Sequence, residues 1–149
     1  MKNMYDRAAF DEVVKRIDTL SAASKHLWGK MGAAQMMAHC SAALEVATGR
    51  KIVRRLLIGR LIGHFFKKRY HDDSEFTRNS PTHPTFVIAD EREFTQEKQR
   101  LLLLAREFSE GGEAKCTTQP HSFFGRLTPG EWGIGIYKHL DHHLRQFGA

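Results

Sequence analysis

Apolar residues recur at three- and four-residue spacing in four long stretches of the chain, the signature of amphipathic helices. The first runs from Asp6 to Leu20, where Phe10, Val13, Ile17 and Leu20 share one face and charges fill the other. A second, from about Ala33 to Thr48, sets Met36, Cys40, Ala43, Val46 and Ala47 on its apolar side, and Gly49 is placed to stop it. The third is expected to begin at Asp90 as N-cap, with Glu91 and Glu93 in the first turn where the helix dipole favours them. Its stripe is Phe94, Leu101, Ala105 and Phe108, and Gly111-Gly112 ends it. The fourth opens at Thr128-Pro129-Gly130-Glu131, a capping-box signature, and lines Trp132, Ile136, Leu140, Leu144 and Phe147 along one side.

Between the second and third stretches the pattern weakens. Lys51 to Tyr70 is apolar and basic, with Gly59 and Gly63 four apart, and reads as two short helices with a break near the glycines. His71 to Ile88, with Pro81, Pro84 and Asn79, reads as a long irregular connection. Thr85 to Ile88 is too short to found a sheet. The expected fold is therefore all-α: a four-helix bundle in one domain over residues 1–149, with a long crossover and one or two short extra helices in its middle.

Composition adds constraints. A chain of 149 residues can bury a core without disulfides or a structural metal, which leaves any metal site free to be functional. Cys40 and Cys116 are the only cysteines and are far apart in sequence, so a reducing, cytoplasmic setting is expected. No signal-peptide or membrane-spanning pattern is present. The net charge of +6 is local: eight basic and no acidic residues lie between Arg50 and Arg69, leaving −2 for the remainder. The bland reading of this segment is a packed crossover whose charges face water, and nucleic acid is not an expected partner. The rival reading is a non-enzymatic binding module that uses Arg50 to Arg69 for anionic partners, a membrane surface or nucleic acid. Its arginines could also receive an acidic substrate or the carboxylates of a thiol cofactor.

The candidate chemistry is in histidines. His139 and His143 are four apart on the last helix and can direct their rings to one point; His142 lies about 100° away. His39 sits among Met36, Cys40 and Ala43 near the buried side of the second helix. A buried neutral imidazole needs partners for both nitrogens, and a metal would supply one.

Met36-Met37-Ala38-His39-Cys40, then Leu127-Thr128-Pro129 to Trp132, then Tyr137-Lys138-His139-Leu140-Asp141-His142-His143-Leu144-Arg145-Gln146-Phe147, resembles the DinB-like superfamily, in particular the branch catalogued as domain of unknown function 1569. The resemblance covers nearly the whole chain. It implies a four-helix bundle with a long crossover and a divalent metal held by one histidine of the second helix and an i, i+4 pair of the last, positions that match His39, His139 and His143. It also implies the possibility of a homodimer. Some members are thiol-dependent S-transferases or isomerases using a low-molecular-weight thiol. A metal-dependent thiol S-transferase or hydrolase acting on a small-molecule substrate is the implied activity, with nickel, zinc, iron or manganese all compatible with imidazole.

The sequence offers only two candidates for a general acid or base. His121 precedes Ser122-Phe123-Phe124-Gly125 and could close over the metal, although a loop histidine is more often a turn residue. Glu131 lies about two turns before His139, yet its N3 position assigns it to capping first. Trp28 and Trp132 read as packing residues or walls of an apolar pocket, and Cys40 as a buried thiol outside the ligand set.

Overall fold

A computed structural model describes residues 1–149, and the chain is all-helical. Its five α-helices are α1 (Arg7–Asp18), α2 (Ala33–Ala47), α3 (Leu57–His71), α4 (Phe94–Gly111) and α5 (Pro129–Gln146), with 3-10 turns at Pro84–Phe86 and Glu113–Lys115. There is no strand; His121 and Gly125 form one isolated antiparallel bridge.

The periodic positions pack as their spacing requires. Phe10, Val13 and Ile17 of α1, Met36, Met37 and Leu44 of α2, Leu101, Leu104 and Phe108 of α4, and Trp132, Ile136 and Leu140 of α5 enter one apolar cluster. No residue of α3 enters it. Helix α2 packs chiefly on α4 and also on α5, α1 touches α4 and α5, and α3 packs on α5 alone. A charged seam crosses the α2–α4 contact. Arg100 meets Glu45 of α2 at 2.6 Å, and Arg92 and Arg100 flank the buried Glu97 at 3.1 and 3.2 Å.

Helix ends follow local chemistry, with one correction. Thr128 Oγ1 accepts from the Glu131 N–H at 3.2 Å and Glu131 accepts from the Thr128 N–H at 2.7 Å, the expected capping box. Gly49 ends α2 at φ 75°, a conformation costly for a side chain. Helix α4, however, begins at Phe94 and not in the turn after Asp90. Glu93 is its N-cap, because its carboxylate reaches the N–H groups of Thr95 and Gln96 at 2.9 and 2.6 Å. Asp90 and Glu91 therefore precede the helix, and the Asp90 carboxylate is taken by Arg92 at 3.0 Å.

The second correction concerns Lys51 to Tyr70. Lys51 to Leu56 is non-helical, and Leu57–His71 is a single helix that runs through both glycines. The glycines do not break it; they let another segment approach. A Cβ on Gly63 would lie 1.9 Å from the Phe123 carbonyl oxygen, and one on Gly59 would lie 2.8 Å from the Phe123 Cα. Tyr70 is buried beside Gly135 of α5, where a Cβ would meet its ring at 1.9 Å. Small residues on both sides thus clamp α3 and the 121–125 loop to α5. No helix is long and apolar enough to cross a membrane.

Candidate metal centre

Helices α2 and α5 bring His39, His139 and His143 together. One ring nitrogen from each falls within 4.8 Å of the other two. The Nε2 atoms of His39 and His139 are 3.0 Å apart, and the ring centroids of the three pairs are separated by 4.7 to 5.0 Å. His39 and His143 are 4% and 8% exposed, so this is an interior cluster and not a solvated histidine face.

Second partners decide which nitrogen is free. His39 Nδ1 lies 2.9 Å from the Phe86 carbonyl oxygen. A carbonyl only accepts, so Nδ1 carries the proton and Nε2 presents a lone pair to the cluster. His143 Nδ1 lies 2.9 Å from Gln146 Oε1, and the same amide donates through Nε2 to the Trp28 carbonyl at 2.8 Å. Because the Trp28 oxygen cannot donate, the amide orientation is fixed, Oε1 must face His143, and the His143 proton is fixed on Nδ1 in turn. Gly29 makes room for this relay: a Cβ there would meet Gln146 Nε2 at 2.4 Å. His139 lacks such help, since its buried Nδ1 has no hydrogen-bond partner.

Electrostatics keep the rings neutral. Burial pushes His143 down to about 3, with the neighbouring His39 adding to the effect. His139 is held well below the ordinary value by burial first and then by His143 and His39. His39 is lowered by burial, partly opposed by its bond to the Phe86 carbonyl. Three neutral imidazoles, two with lone pairs directed inward by protons fixed elsewhere, form a donor set that could hold a divalent metal ion.

The other sequence candidates are placed as follows. His142 is outside the cluster, as its offset on the helix requires, and lies against Trp28 and Phe76 with centroids at 5.8 and 6.1 Å. The Arg78 guanidinium lies over the Trp28 ring, 4.2 Å from its centroid. His121 lies among Tyr70, Phe124 and Trp132, with centroids at 5.1, 4.7 and 5.3 Å. Its Nδ1 accepts from the Phe123 and Phe124 N–H groups at 3.1 and 3.2 Å, which leaves the proton on Nε2. Burial, with His83 and Arg55 nearby, pushes His121 down to about 3. Glu131 caps α5 and pairs with Lys67 and His71 at 2.9 and 3.2 Å. Trp132 is a core residue. Cys40 is buried, turned toward Met36 Sδ at 3.7 Å, with its thiol pushed up by burial.

Sequence reasoning missed Gln146 and the Phe86 carbonyl. Gln146 stands three residues after His143, a spacing that places it on the same helix face and could have been read. Nothing in the sequence singles out Phe86, whose contribution is backbone.

No curated protein and no solved structure matches the chain. Its sequence matches over residues 2–149 the family described as Protein of unknown function (DUF1569), and the chain belongs to that family.

Proposed function

We propose that the protein is a metalloenzyme in which His39, His139 and His143 hold one divalent cation, and that it acts on a small molecule as a thiol S-transferase or hydrolase. The arrangement is then a DinB-like four-helix bundle: α1, α2, α4 and α5 surround the shared core, and α3 lies in the crossover between α2 and α4. The observation that carries the proposal is the convergence of three ligating nitrogens within 4.8 Å, with the His39 and His143 protons held on the far side of each ring.

When bound, a divalent cation supplies Lewis acidity, the property that lets water or a thiol lose its proton near neutral pH. Three protein ligands leave room for such a group in the cation's sphere. Nickel, zinc, iron and manganese all remain candidates, and a low-molecular-weight thiol is a candidate cosubstrate. The chain's own residues orient and enclose. Phe86 and Gln146 set the ring tautomers, and the burial of His39 and His143 limits water around the ligands. Neither acid–base candidate is free for proton transfer: the His121 lone pair on Nδ1 is taken by the Phe123 and Phe124 N–H groups, which leaves a neutral ring able only to donate a hydrogen bond through Nε2–H, and the Glu131 carboxylate is shared among Thr128, Lys67 and His71.

Elemental analysis of protein purified without a polyhistidine tag tests the proposal. About one divalent metal per chain is expected, lost in His143→Ala while far-ultraviolet circular dichroism stays unchanged. Metal-free protein that also fails to take up zinc or nickel would refute it.

A further inference from the structure

Eleven large apolar residues of the protein are exposed, and seven of them lie between Ile52 and Phe66. That concentration makes the surface of α3 unlike the rest of the molecule. Successive residues are offset by about 100° around a helix, which divides α3 into three sectors. Gly59, Gly63 and Tyr70 fall within roughly 40° of one another, and this is the sector clamped to the Phe123 backbone and to Gly135. Leu57, Ile58, Leu61, Ile62, Phe65 and Phe66 occupy about half of the circumference. Leu57, Leu61 and Phe65 are 77, 73 and 73% exposed. Arg60, His64, Lys67 and His71 fill the arc that remains, while Lys68 and Arg69, confined to the last two turns, fall within the apolar half beyond most of its apolar side chains. The helix is therefore docked by its small-residue side, and its apolar side is left facing out.

Charge identifies what fits there. Of the eight basic residues between Arg50 and Arg69, only Arg50 and Lys67 have carboxylate partners, Glu107 and Glu131. Lys51, Arg54, Arg55, Arg60, Lys68 and Arg69 have none. A second copy docking by the same face would set these cations against their equivalents. The rest of the chain carries only −2 and offers no strong acidic counterpart. Nucleic acid would neutralise the cations but leave six apolar side chains in water. An anionic lipid surface satisfies both: phosphate and carboxylate headgroups meet Arg60 at the side and the cations at the two ends of the apolar face, Lys51 and Arg54 before the helix and Lys68 and Arg69 in its last turns, while Leu, Ile and Phe enter the acyl boundary.

We propose that α3, with the basic strand of chain before it, docks the protein on anionic membrane surfaces. Continuity of the helix is what makes the device work, since a break at the glycines would scatter the apolar side chains over two axes. The inference is independent of the metal centre, because none of the three histidines lies on α3.

Co-sedimentation with phosphatidylcholine vesicles, with and without phosphatidylserine, tests it on the full chain. Partition into the phosphatidylserine vesicles alone is expected, weakening by about fivefold for each of Arg60→Gln and Lys68→Gln. The double variant Leu61→Glu/Phe65→Glu, whose side chains are exposed and outside the core, is expected to lose at least about tenfold. Circular dichroism and gel filtration show whether it remains folded. Absence of partition would overturn the proposal, as would partition that ignores Leu61 and Phe65. Self-association abolished by the double variant, without vesicle binding, would reassign the face to a second copy. Duplex DNA binding without lipid binding would likewise overturn it.

Discussion

Replacing Gln146 by leucine should weaken divalent-metal binding without touching a ligand. Gln146 is 4% exposed and holds two bonds, one accepted from His143 Nδ1 at 2.9 Å and one donated to the Trp28 carbonyl at 2.8 Å. Leucine removes both. His143 then loses the acceptor that keeps its proton on Nδ1, and the tautomer with Nε2 protonated competes with the one that can ligate. Loss of such an orienting partner typically costs 10–100-fold in metal affinity, about 1.4–2.8 kcal/mol. The metal-free fold should lose stability as well. Two buried polar groups forfeit their partners at about 1–3 kcal/mol each, toward the lower end for the Trp28 carbonyl, whose loop has access to water.

Gln146→Glu separates the two halves of the amide. Its carboxylate still accepts from His143, so most of the metal affinity should return. Its second oxygen faces the Trp28 carbonyl with no proton to donate, so the stability deficit should persist. Zinc and nickel affinities measured by competition against a chromophoric chelator, together with urea unfolding of the metal-free proteins, resolve both effects. A leucine variant that binds within about twofold of the parent, well inside the expected 10–100-fold, would refute the tautomer argument. Equal losses in the leucine and glutamate variants would instead trace the effect to packing.

Acid should destabilise the metal-free protein in a defined window. His121 and His143 are held near 3 in the fold against an ordinary value of 6.5, so between those limits the unfolded chain binds more protons. Their contribution is complete above about pH 6.5 and is lost as pH falls toward 3; urea midpoints at descending pH should drop through this range, less steeply in His143→Ala, and a flat profile would contradict the assigned burial. Gly63→Ala should destabilise by about 1–3 kcal/mol from overpacking, outweighing a helix-propensity gain of about 1 kcal/mol, because its Cβ would stand 1.9 Å from the Phe123 carbonyl oxygen. Gly130→Ala, with no neighbour nearer than 3.7 Å, should be tolerated, and thermal melts of the two variants check the contrast.

The parts of this structure legible in the sequence are those whose causes are local. Helices α1, α2 and α5 could be read because an apolar period of three and four needs no knowledge of the partner helix, and Thr128 announces its cap within four residues. The i, i+4 pair His139 and His143 is local for the same reason, and His39 was conspicuous as an ionisable group on an apolar face. Helix α3 resisted reading because its buried side is made of Gly59 and Gly63, which carry no hydropathy signal, while its visible apolar side faces out. Periodicity there reports a surface and not the core, so the usual inference from stripe to burial runs backwards. The start of α4 failed on a competition between equivalent caps, Asp90 and Glu93, which was decided by Arg92 engaging the first.

The centre shows the same division more sharply. Its three histidines could be nominated by type and spacing, but the groups that orient their rings are a backbone carbonyl at Phe86 and an amide whose own orientation is set by another carbonyl at Trp28. Those oxygens come from loops 47 residues after His39 and 118 residues before Gln146, and any residue type could in principle supply them. What a sequence motif cannot encode is the direction of a lone pair. That direction is fixed here only when the α2 and α5 helices have already packed and drawn both loops against them, so the orientation of the three rings is a property of the folded bundle even though the histidines themselves are properties of the chain.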